Sequence, residues 1–134
     1  MSFVDLNAFK KNNEEKPIDM SKRVKIGIIG AGWISHVHML HYKEMPDVDV
    51  VAIADLEPEK AMALAEMFDI KNARIYSSDK ELLENEKDLD GVSICTYNSQ
   101  HASCAVNALN AGVNVMLEKP FTVTLDEALD VMKA

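Results

Sequence analysis

Three short segments hold residues whose types and spacing could do chemistry. In the first, an apolar run over residues 24–29 ends in Gly30-Ala31-Gly32-Trp33-Ile34-Ser35. A tight turn at Gly30 and a Gly32 without a Cβ let backbone come close to a phosphate. A helix starting near Trp33 would aim free N–H groups and its positive dipole end at the same place. In the second, about 25 residues on, the apolar run 48–54 ends in Asp55, an acid at a strand tip suited to the hydroxyls of a ribose. The third is Glu118-Lys119-Pro120. Pro120 biases Lys119 toward an extended conformation and cannot continue a ladder, so the lysine leaves the sheet. Its ammonium could hydrogen-bond a substrate hydroxyl and lower the cost of deprotonation during hydride loss. Together the segments predict a bound dinucleotide. Each has a plainer alternative: glycine turns serve steric ends, Glu118 and Lys119 could be a solvated pair, and Trp33 could cover phosphates or pack on a neighbouring domain.

The elements that would hold these residues alternate strand and helix five times. After the first strand, Ile34, Val37, His41 and Met45 fall near one helical face, and Pro46-Asp47 ends that helix. Ala61, Leu64, Ala65 and Phe68 stripe a second helix after Pro58, and a short strand is expected around residues 74–76. Ser78 with Glu81 reads as a capping box for a third helix. Residues 91–96 form a fourth strand, followed by a helix striped by Ala102, Ala105, Val106 and Leu109 and closed at Ala111-Gly112. Residues 114–118 form a fifth strand. Thr124 with Glu127 caps a last helix striped by Leu125, Ala128, Leu129 and Met132. Such alternation with near-continuous apolar strands predicts an α/β fold: a doubly wound, Rossmann-type parallel sheet in three αβα layers. Right-handed crossovers favour strand order 3-2-1-4-5, with ligand over the switch point between strands 1 and 4.

Composition bounds the rest. At 134 residues the chain reads as one domain, residues 23–134, behind a polar, flexible arm over residues 1–22 with a short helical turn expected around residues 4–9. The arm has neither a secretory signal nor, with the rest of the chain, an apolar stretch long enough to span a membrane, so a cytoplasmic protein is expected. A net charge of -8 leaves no basic field for a nucleic acid. Cys95 and Cys104 read as small reduced core residues. Of His36, His38 and His41, only the last two share a helix face, and no third ligand accompanies them, so no metal is expected.

With these residues in view, the chain from Arg23 to Ala134 resembles the Gfo/Idh/MocA oxidoreductases, which include inositol dehydrogenases and glucose–fructose oxidoreductase. The resemblance runs through Gly30-Ala31-Gly32 with His38 on the following helix, Asp55, Thr96 to His101, Ala108-Leu109-x-Ala111-Gly112, and Glu118-Lys119-Pro120. It implies NAD or NADP along strands 1, 2 and 4, with Lys119 as the catalytic lysine and Thr96, Asn98, His101 and Glu118 near the nicotinamide half. Tyr97 departs from the family's usual proline. Members are two or more times longer, because a second α/β domain supplies an aspartate, a histidine, most of the substrate pocket and the oligomer interface. A truncated chain is therefore expected, one that binds cofactor yet turns over poorly by itself, and a homo-oligomer at full length. Asp55-Leu56-Glu57 favours NAD over NADP, because two carboxylates would repel a 2′-phosphate and no Arg follows closely. The implied substrate is a sugar or polyol-like hydroxyl compound. The competing readings are a non-catalytic dinucleotide-binding or interaction module and a fold that takes S-adenosylmethionine.

Overall fold

The computed structural model describes Asp19 and residues 21–134. The expected arm, with its helical turn, lies almost wholly outside the described residues. From Val24 onward the chain alternates β1 (Val24–Ile29), α1 (Trp33–Glu44), β2 (Val48–Ala54), α2 (Pro58–Met67), β3 (Arg74–Tyr76), α3 (Asp79–Asn85), β4 (Gly91–Ile94), α4 (His101–Asn110), β5 (Asn114–Leu117) and α5 (Leu125–Lys133). All four strand pairings are parallel, and the sheet order is β3-β2-β1-β4-β5. This is the doubly wound, Rossmann-type α/β sheet that the alternation predicts.

Period-two alternation along the strands splits the core between the two faces of the sheet. Ile28 and Ile53 pack with Met39 of α1 and with Ala61, Leu64 and Ala65 of α2. Their neighbours Ile29, Ala52 and Ala54 point the other way, joining Leu82 of α3, Ala105 of α4 and Val131 of α5. Helices therefore cover both faces, which makes the three layers. The order also leaves the ends of β1 and β4 diverging into helices on opposite faces, the place where a parallel sheet opens a crevice.

Three local expectations fail for identifiable reasons. The inward face of α1 is not Ile34, Val37, His41 and Met45 but Ser35 and Met39, flanked by the half-buried His38 and Tyr42. The two polar side chains turn inward because the sheet offers them partners, the Ser93 hydroxyl in β4 and the Glu118 carboxylate beyond β5. In α5 the inward residue is Val131, whereas Leu125 and Met132 are 76% and 77% exposed. This helix lies against α4 rather than over the sheet, so its apolar stripe has no layer beneath it. The capping box of α5 forms as expected at Thr124 and Glu127. At α3 only half forms: Ser78 accepts the N–H of Glu81, but the Glu81 carboxylate turns to the backbone N–H and hydroxyl of Ser77.

Candidate functional site

The turn after β1 is built around Gly30, whose φ of +93° suits glycine. A Cβ there would lie 2.7 Å from the carbonyl carbon and oxygen of Cys95, so the turn fits only because it carries no side chain. Hydrogen bonds from Gly30 N to Ala54 O (2.8 Å) and from Cys95 N to Ile29 O (2.7 Å) stitch the ends of β1, β2 and β4 together around it. Gly32 differs. It caps α1 in extended conformation (φ −78°, ψ −170°); among the described residues no side chain caps the helix, and a Cβ placed on it would meet nothing within 4 Å. The turn thus needs Gly30 for the protein's own packing, while the space at Gly32 faces a cleft. Ser35, small enough to let α1 pack closely on the sheet, is fully buried, and its hydroxyl donates to Gly32 O.

That cleft has a volume of about 340 Å³ and runs over the ends of β1, β2 and β4, with Gly30, Gly32, Trp33, Asp55, Thr96 and Tyr97 along its walls. Asp55 closes it on the β2 side. One carboxylate oxygen accepts the N–H of Ala31 and the other that of Glu57, both at 2.8 Å, which leaves each oxygen a second lone pair. The Thr96 hydroxyl oxygen is buried at the cleft and has no hydrogen-bond partner among the described residues. An orphaned hydroxyl, an open position in front of an uncapped helix N-terminus and a carboxylate with free lone pairs form a donor and acceptor set that fits a nucleotide diphosphate. Cys95 and Cys104 also reach the cleft, where burial pushes both thiols up to about 12 and keeps them protonated.

One cation here was missed from the sequence. Lys60, in the first turn of α2, lines the cleft and pairs with Glu57 at 2.9 Å. Glu57, first by its hydrogen bond and then by its charge, holds the ammonium in its charged form. The E-x-x-K spacing of residues 57–60, one helical turn, was the available signal.

Four of the remaining candidates, Asn98, His101, Glu118 and Lys119, gather on the β4–β5 side, outside the cleft. Asn98 is exposed and opens a short 3-10 turn, Asn98–Gln100. His101 is 1% exposed and faces inward; its Nδ1 donates to Pro120 O at 2.7 Å, and its Nε2 lies 3.2 Å from Thr96 O. It braces two loops against one another instead of presenting a ring to the cleft. The Lys119–Pro120 peptide is cis, and Lys119 is exposed. Glu118 is half-buried, bonded to His38 Nε2 at 2.6 Å, and that hydrogen bond is the chief reason its carboxyl sits below the usual range. Ile34 is half-buried on α1, away from the cleft lining. Of the other histidines, His36 bonds to Gly32 O and lies against Phe68, and His41 is exposed.

A family model described as an oxidoreductase family with an NAD-binding Rossmann fold matches residues 24–134, nearly all of the described chain. The chain belongs to the Gfo/Idh/MocA family. An inositol 2-dehydrogenase of Salmonella typhimurium is 36% identical over 112 residues, which cover 83% of this chain and 33% of that protein. Among solved structures, the myo-inositol dehydrogenase of Lactobacillus casei in complex with NAD(H) and myo-inositol superposes with a TM-score of 0.77 at 29% identity, over 83% of this chain and 32% of that one. A 3-ketoreductase from Actinomadura kijaniata in complex with NADP gives 0.74 at 26% identity, over 84% and 35%. The chain spans about a third of the length of the curated relatives it matches. This Gfo/Idh/MocA chain therefore shares its fold with solved relatives holding either nicotinamide cofactor. No helix among the described residues is long and apolar enough to cross a membrane.

Proposed function

We propose that this chain is the nucleotide-binding part of an oxidoreductase that transfers hydride between a sugar or polyol-type hydroxyl and NAD. The observation that supports this most directly is the asymmetry of the glycine turn. Gly30 is spent on the protein's own packing, whereas Gly32 keeps open a position from which nothing among the described residues would be displaced. In this reading the first N–H groups of α1, at Trp33 and Ile34, hold a pyrophosphate, and the free lone pairs of Asp55 take a ribose diol. The buried Thr96 hydroxyl gains the partner it lacks, and Asn98, His101 and Glu118 form or brace the nicotinamide end. The nicotinamide ring supplies a hydride acceptor or donor when bound. Lys119 is the catalytic group: its neutral amine takes up the proton of the substrate hydroxyl as hydride leaves for the nicotinamide, and the ammonium so formed gives the proton back when hydride moves the other way. Substrate positioning falls to sequence that the relatives have outside the third of their length matched here.

Preference for NAD follows from charge. Two carboxylates, Asp55 and Glu57, would flank a bound ribose, and among the described residues the ammonium that lines the cleft, Lys60, is already paired with Glu57. A 2′-phosphate would meet net negative charge there. Isothermal titration with NAD, NADP and S-adenosylmethionine tests the reading. Saturable NAD binding is expected, weaker NADP binding, no S-adenosylmethionine binding, and loss of NAD binding in Asp55→Ala. Glu57→Gln, which frees Lys60, should narrow the gap between NAD and NADP. Equal or tighter binding of NADP by the unaltered chain would overturn the cofactor preference, and no nucleotide binding at all would overturn the function.

A further inference from the structure

A line of polar side chains runs under α1 that neither the cleft nor the hydride chemistry accounts for. Tyr42 OH lies 2.6 Å from Ser93 Oγ, Ser93 Oγ lies 3.2 Å from His38 Nδ1, and His38 Nε2 lies 2.6 Å from Glu118 Oε1. Ser93 is fully buried in the middle of β4, a costly place for a hydroxyl unless it is bonded. The His38 side chain is only 10% exposed. One consistent proton arrangement satisfies the whole line: Tyr42 donates to Ser93, Ser93 donates to Nδ1, and Nε2–H donates to the carboxylate. The other Glu118 oxygen accepts the backbone N–H of Lys119 at 3.2 Å. On the far side of the same loop, His101 holds the carbonyl of Pro120. Lys119 is thus the exposed side chain of a loop gripped on both flanks.

We propose that His38 is a positioning residue for Lys119: by pinning the Glu118 carboxylate against α1, it fixes the peptide from which the lysine departs and keeps that carboxylate off the lysine ammonium. Ser93 and Tyr42 orient the imidazole so that Nε2, not Nδ1, meets Glu118, much as outer partners orient the ring of a ligating histidine. Among the described residues, the groups that meet the ring are Glu118 from beyond β5, Ser93 from β4 and Tyr42 from α1 itself. The hydrogen bond from His38 is also what chiefly favours the ionised form of Glu118. Without that partner the carboxylate is free to turn to its next-door ammonium, which holds the lysine in the charged, unreactive form. The proposal rests on the reading of Lys119 as the group that meets substrate, but its test does not depend on turnover.

The test is trace acetylation of the unliganded chain across pH, with the modification of each lysine quantified by peptide mass spectrometry. In His38→Ala the titration midpoint of Lys119 is expected to rise by about half to one pH unit, slowing its acetylation at pH 8 by roughly three- to tenfold, while Lys22 and Lys133 are unchanged. His38→Gln, which restores an N–H donor at the reach of Nε2, should return Lys119 to its starting midpoint, a rescue that mere space-filling would not give. The shift must also travel through Glu118, so His38→Ala made in a Glu118→Gln background should add nothing. An unchanged Lys119 in a folded His38→Ala chain, or a shift that persists without the Glu118 carboxylate, would overturn the proposal. Should His38→Ala fail to fold, Ser93→Ala, which only loosens the ring, must show a smaller shift of the same sign; no shift there counts against the proposal equally. Titration with NAD separates the two readings: its failure in the unaltered chain defeats the proposed function while leaving the Lys119 shift to stand or fall by itself.

Discussion

Substituting alanine at the two glycines of the β1–α1 turn should separate folding from binding. At Gly30 the new methyl would stand 2.7 Å from two backbone atoms of Cys95 and 2.8 Å from Thr96 N, at a φ of +93°. Backbone at positive φ costs about 1–2 kcal/mol for a residue with a Cβ. The overlap adds about 1–3 kcal/mol, because a strand end held by ladder bonds has no rotamer with which to retreat. A total of roughly 3 kcal/mol corresponds to a fall in Tm on the order of 10–15 °C for a domain of this size. At Gly32 the φ of −78° is ordinary and the methyl meets nothing, so stability should move by less than about 0.5 kcal/mol. Affinity for NAD should nevertheless fall at least about tenfold, because losing one close backbone approach to the pyrophosphate is worth about 1.4 kcal/mol or more. Thermal denaturation by circular dichroism reads the first quantity and calorimetric titration the second. If Gly30→Ala keeps its Tm within about 2 °C, or if Gly32→Ala binds NAD as the unaltered chain does, the division of labour between the two glycines is wrong.

Two further predictions follow from single polar groups. Thr96→Val removes a buried hydroxyl that has no partner, so it should stabilise the unliganded chain by about 1 kcal/mol and weaken NAD binding about fivefold, opposite signs that one melting series with and without NAD would reveal. On the β3 edge, the buried Glu86 carboxylate accepts hydrogen bonds from the Arg74 guanidinium and the Tyr76 hydroxyl, and Arg74 above all holds its carboxyl below the usual range. A carboxyl depressed by folding contributes stability in full above its ordinary value, 4.5, and loses it as pH falls through the lower folded value. Arg74→Met should therefore cost about 2 kcal/mol near neutral pH, with the difference from the unaltered chain closing below about pH 4.5 in urea melts. A constant difference across that range would show that the pair contributes by packing alone.

What the sequence determined by itself was everything that local periodicity and strand ends can encode. Alternating apolar runs and helical stripes, punctuated by Pro46, Pro58 and Gly112, specify five βα units, and right-handed crossovers leave few sheet orders to choose from. Because a parallel sheet puts its ligand-facing residues just past the strand ends, the identities of Gly30, Gly32, Asp55 and Thr96 were legible as a cleft before the cleft was seen. Tertiary structure decided which way individual side chains turn. An inward-facing His38 and Tyr42 look wrong by hydrophobic pattern and become right only when Ser93, 55 residues from His38, and Glu118, 80 residues from it, arrive as partners. His101 likewise is read as a cofactor contact in sequence and acts as a brace in space, because its partner carbonyl belongs to Pro120, 19 residues on. The apolar stripe of α5 was visible, yet amphipathicity says only that a helix has a face to bury, not whether a layer lies beneath it. A buried polar group takes whatever partner the fold brings within about 3 Å, and that distance is set by packing between elements far apart in the chain.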